Sequence, residues 1–234
     1  MPQIDNSTDD IEARVLDAAS ELFIRYGYDK STMNDIASNA GVAKSTIYLR
    51  WKKKEDVFRA LLIRESCLVT EEWIDRVEAD PKGGTYGAWI RHATVATFSN
   101  PFLTALYKQD RRVLGSMIER LGQTDLYQQR QAMFLHFFEA LQDANAVRKD
   151  LDAHVLTYLL NSLQFGLIHF ADVIPPQQTP DLSRVWEVLV EMVERLVTPE
   201  DGGDAEAGKV VVRQFMQQVR QRLDEFEKQS SFTG

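Results

Sequence analysis

Five cations, Lys44, Arg50, Lys52, Lys53 and Lys54, fall within residues 41–54 with no acid among them. Residues 1–40 hold three cations against eight acids, and the whole chain of 234 residues carries a formal charge of −8. A concentrated cationic surface on an otherwise acidic chain is what neutralising a row of phosphates requires. Between the cations stand Ser45, Thr46 and Tyr48, whose hydroxyls can reach phosphate oxygens or base edges. A solvated basic helix end would carry the same charges, so the elements that hold these residues decide the matter.

Residues 31–54 read as two short helices joined by a tight turn. Met33, Ile36, Ala37 and Ala40 recur at helical spacing and form one apolar stripe. Gly41 follows as a C-terminal stop, because glycine enters the left-handed region without steric cost. Val42 returns toward the core, and a second helix runs from about Ala43 to Leu49. Its outward side chains are Lys44, Ser45, Thr46, Tyr48 and Arg50. Thr32, with Asp35 three residues on, matches a capping pair that opens the first of these helices. Its hydroxyl could equally hold a phosphate at the helix N-terminus. Helix, glycine turn and polar-faced helix is the layout that sets a recognition helix in the DNA major groove. The preceding segment, 9–26, supplies the third wall: Ile11, Val15, Ala18, Ala19, Leu22, Phe23 and Tyr26 share one face, and Gly27 ends it.

At these residues the chain resembles the TetR family of one-component transcriptional regulators. The shared pattern is Thr32, Ile36-Ala37, Ala40-Gly41-Val42, Ile47-Tyr48, Trp51 and Lys54-Glu55, over about residues 10–58. Two departures stand out. Ala43 occupies a position where the family usually has Ser or Thr, which removes a helix cap, and Trp51 replaces the commoner Phe. The expected fold is all-α, with about nine to ten helices: a three-helix DNA-binding domain over 1–53, then a larger helical domain over 54–234 for effector binding and dimerisation. The expected DNA contacts are Thr32, Lys44, Ser45, Thr46, Tyr48, Arg50, Lys52 and Lys54, on double-stranded DNA with a near-palindromic operator.

Downstream, the text is helical throughout. A long helix over about Lys54 to Ala79 ends before Pro81 and Gly83-Gly84, and in the family the equivalent helix joins head to body. Further helices are expected at about 85–99, 101–109, 110–121, 125–145, 150–172, 182–197 and 207–229, separated by Asn100-Pro101, Gly122, Asp143–Asn145, Pro175-Pro176 and the acidic loop Pro199–Gly208. The resemblance implies that the body encloses a small-molecule pocket, with Trp89, Phe98, Phe102, Met117, Phe134, Phe138, Asn161, Gln164, Phe165 and His169 as its candidate lining. For any one of the aromatics, plain core packing accounts for the residue as well. Polar groups amid apolar text, His136, Asn161, Gln164 and His169, each need a partner, since an unpaired buried polar group costs about 1–3 kcal/mol. The apolar helices at about 150–172 and 181–198 are, by the same resemblance, the pair that meets a second copy in a homodimer. Read without it, both could be internal helices of a monomer.

Several classes are excluded or disfavoured. Cys67 is the single cysteine, so no intramolecular disulfide and no four-cysteine zinc site can form. The longest uncharged run, Ala153–Ala171, carries His154, Thr157, Asn161, Ser162, Gln164 and His169 and reads as a buried helix, not a membrane span. The acidic start, MPQIDNSTDD, is unlike a signal peptide, and a cytoplasmic protein is expected. His92, His136, His154 and His169 are scattered, and neither a nucleophile elbow, a phosphate loop nor a dinucleotide fingerprint occurs. No catalytic residue, cofactor or metal is expected. Two functions remain: a dimeric repressor released by a small apolar or aromatic effector, or a DNA-bound protein with a packed body controlled by a protein partner.

Overall fold

Thr32 opens the second helix of the protein with a reciprocal cap. Its hydroxyl accepts from the backbone N–H of Asp35 (3.2 Å), and the Asp35 carboxylate accepts from the Thr32 N–H (2.9 Å). Local chemistry of this kind sets several element ends in the computed structural model, which describes residues 6–122, 126–170 and 173–231. The chain runs through α1 (Asn6–Tyr26), α2 (Met33–Ala40), α3 (Lys44–Arg50), α4 (Lys54–Ala79), α5 (Tyr86–Ser99) and α6 (Pro101–Tyr107). It continues through α7 (Arg111–Leu114), α8 (Met117–Gly122), α9 (Leu126–Asp143), α10 (Ala153–Phe170), a 3-10 turn at Pro176–Gln178, α11 (Leu182–Val197) and α12 (Ala205–Ser231). Among the described residues there are twelve α-helices and no strand. The all-α expectation holds.

The count exceeds the nine to ten expected because residues 100–122 are cut finely. Asn100 caps α6 by accepting from the Leu103 N–H, with Pro101 at the first helical position, and Asp110 caps α7 by accepting from the Arg112 N–H. The stretch 110–121, read as one helix, is broken at Gly115, whose φ is +53°. A β-carbon there would stand 2.3 Å from the Asp29 carboxylate, so both backbone and space call for glycine. Likewise α10 starts at Ala153, not 150, because the Asp152 carboxylate accepts from the Val155 N–H (3.0 Å).

The chain forms two compact units. The first takes in Met1–Leu68, Asn100–Gln123 and Gln221–Gly234. Here α1 packs on α2, α6 and α7, and α2 on α3. The stripe Met33, Ile36, Ala37 and Ala40 is buried, together with Val15, Ala19 and Phe23 of α1. The Phe58 ring lies 5.4 Å from that of Tyr28 and 5.3 Å from that of Phe102. Residues 54–68 and 100–122 thus pack into the same unit as the predicted head.

The second unit takes in Val69–Ser99 and Thr124–Arg220. Within it α5 packs on α11 and α9 on α10. Its core is aromatic: the Trp89 ring stands 5.1 Å from Trp73, 5.3 Å from Tyr86 and 4.8 Å from Phe137. Burial raises the Tyr86 phenol well above its ordinary value, so it is neutral at any physiological pH.

Candidate nucleic-acid interface

The surface is built on a seven-residue helix. Gly41 ends α2 with φ +65°, and the Val42 N–H donates back to the Ala37 carbonyl (3.0 Å). A β-carbon at Gly41 would meet nothing within 4 Å, so the backbone angle alone demands glycine there. Ala43 then takes the N-cap position of α3 with no side-chain cap, as the missing hydroxyl requires. Ile47 and Trp51 are buried and seat the helix. With those two inward, Lys44, Ser45, Tyr48, Leu49 and Arg50 are exposed and Thr46 is half-buried.

The predicted contact residues are not equally free. Lys44 and Lys52 project from the surface, the Lys44 ammonium 5.6 Å from the Tyr48 ring centre and Lys52 donating to the Tyr48 carbonyl (3.3 Å). Arg50 pairs with Glu12 of α1 at 2.6 Å and lies over the Trp51 ring, so one acid already answers its charge. Thr32 is exposed, but its hydroxyl donates to Asp35 (2.7 Å), and this hydrogen bond chiefly holds the Asp35 carboxyl below its usual value. The capping role is therefore occupied. Lys54 turns inward: its ammonium donates to the backbone carbonyls of Tyr28 (2.5 Å) and Ser31 (2.7 Å), and partial burial lowers its pKa. It acts as a strut between α4 and the α1–α2 turn. Lys53, absent from the expected contacts, is exposed beside Lys52.

That turn is braced from a second side. The Tyr28 N–H donates to the Val113 carbonyl (2.8 Å), and the Asp29 carboxylate accepts from the Ser116 N–H (3.1 Å) and hydroxyl (2.7 Å). The Ser116 hydroxyl is the main reason the Asp29 carboxyl sits below its ordinary pKa. A β-carbon on Gly27 (φ +88°) would lie 2.2 Å from the Arg112 carbonyl oxygen, so α1 ends hard against α7. Glu55 accepts from Arg59 (2.6 Å) and pairs with Arg120. Sequence reading assigned no bracing or pairing role to Glu12, Asp29 or Ser116. Nothing in their local text signals a partner that lies far along the chain.

The ten residues expected to line a pocket are divided. Phe102 and Met117 are buried in the first unit. Trp89, Phe134 and Phe138 belong to the aromatic core of the second, and Phe98 stands 6.3 Å from Trp186. Asn161 donates to the Thr157 carbonyl of its own helix (2.8 Å). Phe165 departs from a lining role, being 61% exposed on α10. The side chains of Gln164 and His169 lie outside the described residues. His136, expected amid apolar text, is exposed and pairs with Glu139 (3.2 Å). Among the described residues no cluster of His, Cys, Asp or Glu could hold a metal, and no helix is long and apolar enough to cross a membrane.

Residues 15–61 match the family model described as bacterial regulatory proteins, tetR family. The chain is 39% identical over 69 residues to the fatty acid metabolism regulator protein of Bacillus subtilis, covering 30% of this chain and 34% of that one. It is 29% identical over 169 residues to the HTH-type transcriptional regulator TtgR of Pseudomonas putida, covering 67% and 77%. The match thus spans about a third of the first relative and about three quarters of the second. In fold it is similar to the crystal structure of a putative transcriptional regulator from Saccharomonospora viridis in complex with choline, with a TM-score of 0.59, 19% identity, and 82% and 100% of the two chains covered. All three are regulators by name.

Proposed function

Because the N-terminal helix-turn-helix domain belongs to the tetR family of bacterial regulatory proteins, we propose that the chain is a DNA-binding transcriptional regulator, and that it works as a dimeric repressor released by a small effector. The observation that carries the DNA-binding part is the exposed face of α3. Lys44, Ser45 and Tyr48 project together while Ile47 and Trp51 anchor the helix from behind, and Lys52 and Lys53 continue the cationic surface. Cations position a duplex, and the polar side chains between them reach base edges. One short helix contacts few bases, so two copies on a near-palindrome supply the remaining specificity.

The second copy has a surface to meet. On α10, Val155, Tyr158 and Phe165 are exposed, and on α11, Val188 and Met192. Large apolar side chains left exposed along a helix support a protein–protein contact there. We assign these helices to the homodimer.

For the effector, the supporting observation is electrical and not volumetric. The indole N–H groups of Trp73 and Trp89 are buried with no hydrogen-bond partner among the described residues. Each such orphan costs about 1–3 kcal/mol, and a neutral aromatic molecule offering an acceptor oxygen removes that cost. An effector acts through its different affinity for two states, so it must favour the arrangement that leaves DNA. The rival reading, a packed body controlled by a protein partner, needs no such donor pair. Selection of duplexes from random-sequence DNA, followed by a screen for compounds that both raise the melting temperature and release the selected duplex, tests both halves. Enrichment of no sequence contradicts the first half, and enrichment without any releasing compound favours the rival.

A further inference from the structure

The face of α3 carries one side chain that neither charge nor hydroxyl chemistry explains. Leu49 is 82% exposed, a larger fraction than any other large apolar side chain among the described residues. The helix already hides its apolar anchor, Ile47, at 1% exposure, so Leu49 adds nothing to the seating of α3. A single exposed leucine on an ordinary surface would call for no account. This one lies one helical turn beyond Ser45 and next to Tyr48, on the helix flanked by Lys44 and Lys52.

We propose that Leu49 is a specificity-determining residue that reads the C5-methyl group of a thymine in the major groove, an inference that rests on the DNA-binding reading of α3. The chemistry follows from what the groove displays. Of the four bases only thymine presents an apolar group there, and an aliphatic side chain is the complement that excludes water from it. Cations cannot supply this discrimination, since phosphates are the same at every step. Leu49 therefore separates a T·A pair from C·G at one position of each half-site, while the lysines around it set affinity without regard to sequence.

The test removes the methyl group and nothing else. The full-length protein first selects a duplex from random-sequence DNA. Each thymine of that duplex is then replaced in turn by deoxyuridine, which keeps every hydrogen-bonding group of the base. At one position per half-site the wild-type protein should bind the deoxyuridine duplex about three- to fivefold more weakly. Leu49→Ala should bind both duplexes alike, whereas Leu49→Met, which keeps an apolar end, should retain the preference. Because Leu49 is exposed, both variants should melt with the wild type, which separates a loss of reading from a loss of folding. Wild-type indifference to every methyl removal, or an unchanged preference in Leu49→Ala, would overturn the assignment while leaving DNA binding intact. Failure to enrich any sequence would instead overturn DNA reading by α3, and this assignment with it.

Discussion

The ammonium of Lys54 stands 2.5 Å from the carbonyl oxygen of Tyr28 and 4.1 Å from the centre of the Tyr28 ring. A cation at the start of α4 is thus spent on the turn that precedes α2, and not on solvent. It ties the helix-turn-helix to α4 from within. Lys54→Ala should lower stability by about 1–3 kcal/mol, the usual worth of hydrogen bonds to a charged group, while leaving the salt dependence of DNA binding nearly unchanged. Denaturant unfolding and binding at several salt concentrations check it. An unchanged stability with a flattened salt dependence would mean that Lys54 contacts phosphate after all.

Glu12 neutralises Arg50 across the α1–α3 contact at 2.6 Å. Exposed pairs contribute about 0–1 kcal/mol, so Glu12→Gln should cost little stability. It should free one cation at the interface and tighten DNA binding at low salt by about two- to fivefold. Electrophoretic mobility shifts of wild type and variant at matched salt decide this. Weaker binding would show that Glu12 is needed to aim α3.

Asp29 has its carboxyl held below the ordinary carboxylate value, chiefly by the Ser116 hydroxyl. A lowered folded-state pKa adds stability that is present above the unfolded value and disappears as pH falls through the folded one. Asp29→Asn should therefore melt below wild type at neutral pH, and the two should converge as pH falls below about 4, the ordinary carboxylate value. Melting curves across that range test the sign. A gap that widens on acidification would contradict the assignment.

The two turn glycines differ in both backbone angle and surrounding space. Gly41→Ala meets only the left-handed backbone and should cost about 1–2 kcal/mol. Gly115→Ala meets a different positive-φ backbone, φ +53° with ψ −134°, that side chains tolerate less well, and also drives a methyl group into the Asp29 carboxylate, so it should cost more. Equal losses in urea unfolding would show that the Asp29–Ser116 contact yields freely.

Tyr158 of α10 and Met192 of α11 are exposed on the faces assigned to the second copy. Glutamate at either position should leave the protomer folded and convert a dimer to monomers in sedimentation velocity. A wild type that is already monomeric, or variants of undiminished mass, would remove those helices from the interface.

Much of the fold was legible because local chemistry sets it. The bounds of α4 and α11, the Thr32 cap and the left-handed Gly41 all follow from residues within four positions. The contacts that decide which cations are free were not legible. Lys54 reads as one more lysine in a basic run, and only the folded turn puts two carbonyls beneath it. Asp29 and Ser116 lie 87 residues apart, so no spacing rule brings them together. The break at Gly115 shows the same thing in reverse. The residue was visible, but the carboxylate that forbids a side chain there was not.

The central claim, that the α3 surface engages a duplex through its exposed lysines, is met most directly by the slope of log binding constant against log salt on the selected duplex. The account predicts a steep negative slope for wild type. Replacing either Lys44 or Lys52 with alanine should make that slope shallower by about one, the worth of a single phosphate neutralised, with melting temperatures unchanged. Slopes that do not move with either lysine would contradict it.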